Sequence, residues 1–318
     1  SGNGGSPEQS GPVVILPLRH WPTRTPMCSV CTAAALDQPP PRTDGGASQM
    51  EYAPLGPTDQ LIPRIGFGTA RYCGEPGVLQ RAIELGANLF DTAESYNAFG
   101  DEPGVAERIV GRELREAGAP AFVATKISAR NLRYDDVIAH ALASRERLGI
   151  DVIDLYQIHA PSSTIPITET MRAMERLVAG GVIRFIGVSN FNVEQLETAQ
   201  DALYSSPLVS NQVEYSVLRR AIETDILPYC QEQDITVIAY APLALGAFAS
   251  GPGSDVIAQV GAEAGKKPAQ VVIRWLLDHD RVVVIPKTDR PERVDELCGA
   301  AGWCLSLEHR AALDAIRA

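Results

Sequence analysis

Eight short apolar runs punctuate the chain from residue 58 onward: RIGFGT (64–69), ANLFDT (87–92), AFVATK (121–126), DLYQIH (154–159), IRFIGVS (183–189), LVSNQV (208–213), ITVIAY (235–240) and RVVVIP (281–286). Each is rich in β-branched or aromatic residues and nearly continuous in apolar character. That pattern predicts strands buried on both faces rather than half-solvated, alternating ones. Between the runs, GVLQRAIELG (77–86), GVAERIVGRELREAG (104–118) and YDDVIAHALASRERLG (134–149) place apolar residues three and four apart and end at glycine. These are amphipathic helices with glycine stops. Strand–helix alternation repeated eight times within about 250 residues predicts an α/β chain folded as a (β/α)8 TIM barrel. A doubly wound sheet is the competing arrangement, but no GxGxxG follows the first run.

Residues 1–57 have a different texture. SGNGGS, QPPPR and DGGASQ carry glycine, proline and serine with no sustained periodicity, as expected of a disordered or poorly ordered extension. Ordered-looking sequence begins soon after Met50, which is a plausible natural start. A transit peptide is weakened by Glu8, Asp37 and Asp44. The barrel is therefore assigned to residues 58–318.

Charge and cysteine content narrow the partners. With 28 basic and 39 acidic residues the formal net charge is −11, which argues against nucleic acid or an anionic membrane as the main partner. A small basic site for a phosphate remains compatible. No apolar run approaches the roughly 18 to 20 residues of a membrane helix. Six scattered cysteines show no framework spacing, as expected of reduced thiols in a cytoplasmic protein. The lone CxxC at Cys28–Cys31 is half a zinc site at most, so no metal is expected.

The polar residues that end the apolar runs carry the chemistry. They are Asp91, Lys126, His159, Ser189 with Asn190, Gln212, Tyr240 and Lys287. Taken singly, each has a plain structural explanation, such as a turn cap or a solvated strand end. Polar residues at seven successive strand ends converge on one mouth in a barrel, where the strands' carboxyl ends build the site. Asp91, Tyr96, Lys126 and His159 form a coherent acid–base set. A phenol is a poor acid–base group at neutral pH. A neighbouring ammonium favours the phenolate, and a buried carboxylate keeps that ammonium charged. Histidine can orient a carbonyl oxygen. Such a set gives a proton to an oxygen as negative charge builds there, and needs a partner that delivers electrons.

From about residue 58 to 318 the chain resembles the aldo-keto reductase family, in its bacterial 2,5-diketogluconate-reductase-like branch. GANLFDTAESY, FVATKI and IDLYQIHAP resemble the segments carrying the family's Asp, Tyr, Lys and His. IRFIGVSNF, NQVEYS, AYAPL and VVVIPKT resemble its nicotinamide cofactor segments, in the same order. The resemblance implies Tyr96 as general acid, assisted by Lys126 and Asp91, with His159 orienting the carbonyl. It implies NADP(H), with Ser189, Asn190 and Gln212 on the nicotinamide carboxamide and Tyr240 stacked on its ring. Lys287, Thr288 and Arg293 would hold the adenosine 2′-phosphate, and Gly68, Thr69, Pro242 and Leu243 would also line the cofactor. The substrate would be a small aldehyde or ketone, and the enzyme a monomer.

Three positions depart from the family pattern. Ala160 stands where a tryptophan often follows the catalytic histidine, which should reshape the pocket. Leu297 replaces an asparagine near the adenine. Arg71 occupies the place of an aromatic pocket residue, as either a cation for acidic substrates or an outward surface arginine. Little sequence follows RPERVDELCGAAG, so a long carboxyl-terminal loop over the pocket is not expected. Two other readings compete: a cofactor-binding regulatory protein on this scaffold, which need not keep the acid–base set, and a barrel isomerase or hydrolase. The latter calls for paired carboxylates or metal ligands at the strand ends.

Overall fold

The computed structural model describes residues 50–96 and 103–317. The described chain enters through an antiparallel hairpin, β1 (Tyr52–Pro54) paired with β2 (Leu61–Pro63). The expected boundary at residue 57 falls inside this hairpin, so residues 50–57 belong to the fold and not to the extension. The reason is burial: Leu55 and Ile62 are almost fully inaccessible and join Leu89, Phe122, Leu155 and Val209 in one cluster. The hairpin thereby plugs the barrel end opposite the strands' carboxyl termini. Residues 1–49, with Cys28 and Cys31, lie outside the described residues.

All eight apolar runs form strands: β3 (Phe67–Gly68), β4 (Leu89–Asp91), β5 (Phe122–Ile127), β6 (Ile153–Ile158), β7 (Ile183–Ser189), β8 (Leu208–Glu214), β9 (Thr236–Tyr240) and β10 (Val282–Val284). They are parallel neighbours in sequence order, and Ile65 bridges Val284 to close the ring. Gly66 N–H donates to the Val284 carbonyl at 2.9 Å across that seam. Closure leaves no open edge in the barrel sheet, while the packed interior and the helix layer cover the strands' two faces.

The helices are α1 (Val78–Glu84), α2 (Val105–Ala117), α3 (Tyr134–Leu148), α4 (Ile167–Ala179), α5 (Val193–Ala202), α6 (Ile226–Glu232), α7 (Ser254–Ala264), α8 (Pro268–Leu277), α9 (Pro291–Cys298) and α10 (Leu307–Asp314). The glycine stops behave as expected: α2 ends at Gly118 and α3 at Gly149, both left-handed. Gly111 is needed for packing, since a Cβ there would lie 2.1 Å from the Leu148 carbonyl oxygen on α3. The chain after α9 docks on the helix layer, with Leu313 buried and Trp275 Nε1–H donating to Asp314 at 2.8 Å. It does not fold over the mouth as a long loop.

Candidate active site

Strand periodicity aims the chemistry. Leu89, Ala124, Leu155 and Ile238 belong to the cluster inside the barrel. Two residues further along each strand, on the same face, stand Asp91, Lys126, Gln157 and Tyr240. The interior is therefore apolar at the bottom and polar at the carboxyl ends.

Lys126 is fully buried and spends its three donors on three oxygens. It meets Asp91 Oδ2 at 2.5 Å, the Thr92 carbonyl at 3.0 Å and the Tyr96 hydroxyl at 3.1 Å. Burial pulls its pKa down, but Asp91 first and then Tyr96 outweigh it, and the net shift is upward. The ammonium is kept charged beside the phenol. The other Asp91 oxygen accepts from Gln157 Nε2 at 3.1 Å and Gln212 Nε2 at 2.8 Å. Gln157 was not among the expected site residues, because it stands inside its run rather than at its end and the family resemblance assigned it no role. The signal was present: Gln157 interrupts an apolar run at the inward parity, two residues before His159.

Tyr96 and His159 stand edge to face with ring centroids 5.4 Å apart. Burial, then the Lys126 ammonium, pulls His159 down to about 4, against smaller opposing effects of Asp91 and Glu94. Its imidazole is therefore neutral at neutral pH. For carbonyl reduction, kcat/KM should stay level from about pH 7 to about pH 5, with no acid limb at the ordinary histidine value near 6.5. A limb near 6.5 that disappears in His159→Ala would show that the histidine works at an unperturbed pKa.

The residues expected to hold a cofactor surround this set. Ser189 hydroxyl donates to the Gln212 carbonyl at 2.8 Å. Asn190, in a left-handed turn with φ 61°, donates to the His159 carbonyl at 3.0 Å and accepts from Tyr240 hydroxyl at 3.1 Å. Gln212 is turned to Asp91, so it shares one hydrogen-bond network with Asp91 and Lys126. Gly68 ends β3, and Thr69 spends its hydroxyl on the Asp91 carbonyl at 3.0 Å. Pro242 and Leu243 follow Tyr240 at the mouth, the first buried and the second half-buried.

Lys287 and Thr288 lie just past β10, and Arg293 lies in the first turn of α9. Helical spacing would allow Arg293 to pair with Glu296, but Glu296 instead meets Lys267 at 3.4 Å. Among the described residues Arg293 has no ion pair. Lys287 contacts Asp289, whose other oxygen accepts from Cys73 N–H at 3.2 Å. That arrangement, a guanidinium without a carboxylate, a lysine and a helix start, fits a phosphate.

The three departures resolve differently. Ala160 is half-buried beside His159, while Arg71 is exposed with φ 59°. Leu297 is fully buried in the core, so its side chain fills the helix layer. Among the described residues no group of His, Cys, Asp and Glu could hold a metal, and no helix is long and apolar enough to cross a membrane.

The barrel is that of a known class of oxidoreductase. Residues 64–318 match the aldo/keto reductase family model. The chain belongs to the aldo-keto reductase family. It is 34% identical over 266 residues to a methylglyoxal reductase of Escherichia coli strain K12, covering 80% of this chain and 91% of that one. A thermostable aldo-keto reductase solved with the inhibitor epalrestat superposes with a TM-score of 0.76 at 33% identity, covering 83% of this chain and 99% of that one. An aldo/keto reductase from Klebsiella pneumoniae solved with NADP and acetate does so with a TM-score of 0.73 at 31% identity, covering 84% and 95%.

Proposed function

We propose that this oxidoreductase reduces the carbonyl of a small aldehyde or ketone to an alcohol with NADP(H), Tyr96 giving the proton. The observation that carries the proposal is the buried contact of Lys126 with both Asp91 and the Tyr96 hydroxyl at the barrel mouth. When bound, NADPH supplies a hydride for the carbonyl carbon. Tyr96 donates its phenolic proton to the carbonyl oxygen as charge develops there, and Lys126 stabilises the phenolate that remains. Asp91 keeps Lys126 charged, and the phenol recovers its proton from solvent. Neutral His159 offers an N–H to the same oxygen and so orients the carbonyl.

Ser189, Asn190, Gln212 and Tyr240 would hold the nicotinamide. Lys287, Thr288 and Arg293 would hold the 2′-phosphate, with Gly68, Thr69, Pro242 and Leu243 along the path between. The enzyme is read as a cytoplasmic monomer; the thiols of Cys73 and Cys230 suit a reducing compartment.

The test is consumption of NADPH with a panel of aldehydes and ketones, in the parent protein and in Arg293→Ala. A charge-assisted arginine–phosphate contact contributes roughly 1.5 to 3 kcal/mol. The KM for NADPH should therefore rise about ten- to a hundredfold in Arg293→Ala. NADH, which lacks the phosphate, should be far less affected. Absence of turnover across the panel would remove the reductase reading, leaving a binding protein on the same scaffold. Equal weakening of both cofactors would remove the phosphate role of Arg293.

A further inference from the structure

Glu94, Ser95 and Tyr96 follow one another in the loop after β4, and each is engaged by a different part of the barrel. Glu94 is buried, 4% exposed. Its Oε1 accepts from Ser128 N–H at 2.8 Å and Asn131 Nδ2 at 3.0 Å, and its Oε2 meets His140 Nδ1 at 2.6 Å. Its backbone is held as well: the N–H donates to the Lys126 carbonyl at 3.2 Å, and the carbonyl accepts from Gly104 N–H at 2.6 Å. One residue on, Ser95 Oγ lies 3.3 Å from His159 Nδ1. The next residue is Tyr96, at Lys126.

We propose that Glu94 is a positioning residue for the reaction. Clamped by Ser128, Asn131 and His140, it fixes the loop so that Tyr96 meets Lys126 and Ser95 meets His159. The inference rests on the acid role proposed for Tyr96. The Tyr96 backbone is held by its N–H donating to the Ala93 carbonyl at 3.1 Å and its carbonyl accepting from Ala106 N–H at 3.2 Å, while its phenol makes one described hydrogen bond, to Lys126. The buried Glu94 side chain adds a tie from the same loop to the residues after β5 and to α3. Thr92, earlier in the loop, has a buried hydroxyl without a partner among the described residues, so it tethers nothing by that group.

A carboxylate is required at this position. Donors approach both oxygens, and burial, which raises the pKa of Glu94, is outweighed by Ser128, then His140 and Asn131, which lower it. Glutamine can accept at one end only, and aspartate is a methylene short of the same donors. The contact through Ser95 extends the effect to the histidine. A neutral imidazole carries one proton, and the proposal requires the serine hydroxyl to donate to Nδ1, which leaves that proton on Nε2 to address a carbonyl. The clamp therefore serves the acid and the orienting group together.

A double-mutant comparison tests it. Glu94→Ala and Glu94→Gln are made singly and in the Tyr96→Phe background, with kcat measured at saturating NADPH and NADPH affinity measured separately. Glu94→Ala should lower kcat about ten- to a hundredfold, the usual cost of a reacting group displaced by about an ångström, with a smaller loss for glutamine. NADPH affinity should stay within about twofold, and in the Tyr96→Phe background the further loss should be clearly smaller than in the parent, the remainder coming through His159, as for residues acting largely as one unit. Losses that add fully, an unchanged kcat, or NADPH affinity falling in step with kcat would each overturn the clamp. Full turnover by Tyr96→Phe alone would instead overturn the acid assignment on which it rests. Should Glu94→Ala fail to fold, His140→Ala removes one donor from a half-exposed position, and the same pattern at smaller amplitude is required.

Discussion

Replacing Tyr96 with phenylalanine is expected to lower kcat by about two to four orders of magnitude, the usual contribution of a general acid. The substitution removes one oxygen and little else. The ring would keep its edge-to-face contact with His159, and the loop would remain fastened through Glu94. The lost hydroxyl accepts from Lys126, whose other two contacts, to Asp91 and the Thr92 carbonyl, persist. NADPH affinity and melting temperature should therefore change little while turnover collapses. Stopped-flow or steady-state measurement of NADPH oxidation, with cofactor binding measured in parallel, checks this. Near-normal turnover in the variant would sink the assignment of Tyr96.

Lys126→Met should damage stability as well as turnover. The Lys126–Asp91 pair is buried, with side chains 0% and 2% exposed. Removing one partner of a buried pair leaves an uncompensated charge, a loss of about 3 to 5 kcal/mol. Gln157 and Gln212 still donate to Asp91, which places the expected loss near the lower end, about 3 kcal/mol. For a chain of this size that is a fall in melting temperature of roughly 4 to 6 °C. The companion double variant Lys126→Met/Asp91→Leu removes both charges and should recover part of the stability, with no recovery of turnover. Urea unfolding of the three proteins measures the difference. Equal stability of Lys126→Met and the parent would mean that the pair is not held dry in the folded protein.

These expectations rest on residues of unequal visibility in the sequence. Asp91, Lys126, His159 and Tyr240 were legible because each ends or follows a continuous apolar run, and a strand's end in such a barrel is a fixed place. Arg293 was legible as a cation one turn into a helix, but its freedom from Glu296 was not. That depended on Lys267, 29 residues earlier, reaching across from the start of α8 to take the carboxylate. Leu297 likewise read as a changed cofactor contact until burial in the helix layer gave it a packing role. The hairpin at residues 52–63 was missed for a local reason: two three-residue strands flanking a polar turn carry too little periodicity to stand out from a Gly- and Pro-rich terminus.

The sequence by itself determined the eight strand–helix units, their order and the strand ends at which Asp91, Lys126 and Tyr240 stand, because an apolar run and the polar residue that ends it are local properties of consecutive residues. Only the tertiary structure decided which polar groups meet across the ring. Gln157 and Gln212 reach Asp91 over separations of 66 and 121 residues, and His140 on α3 closes on Glu94 over 46. A strand's end says where along the barrel a side chain stands, but not which donor stands opposite. That choice is made when the barrel closes, strips water from its interior and leaves each buried carboxylate to find every partner it needs within about 3 Å.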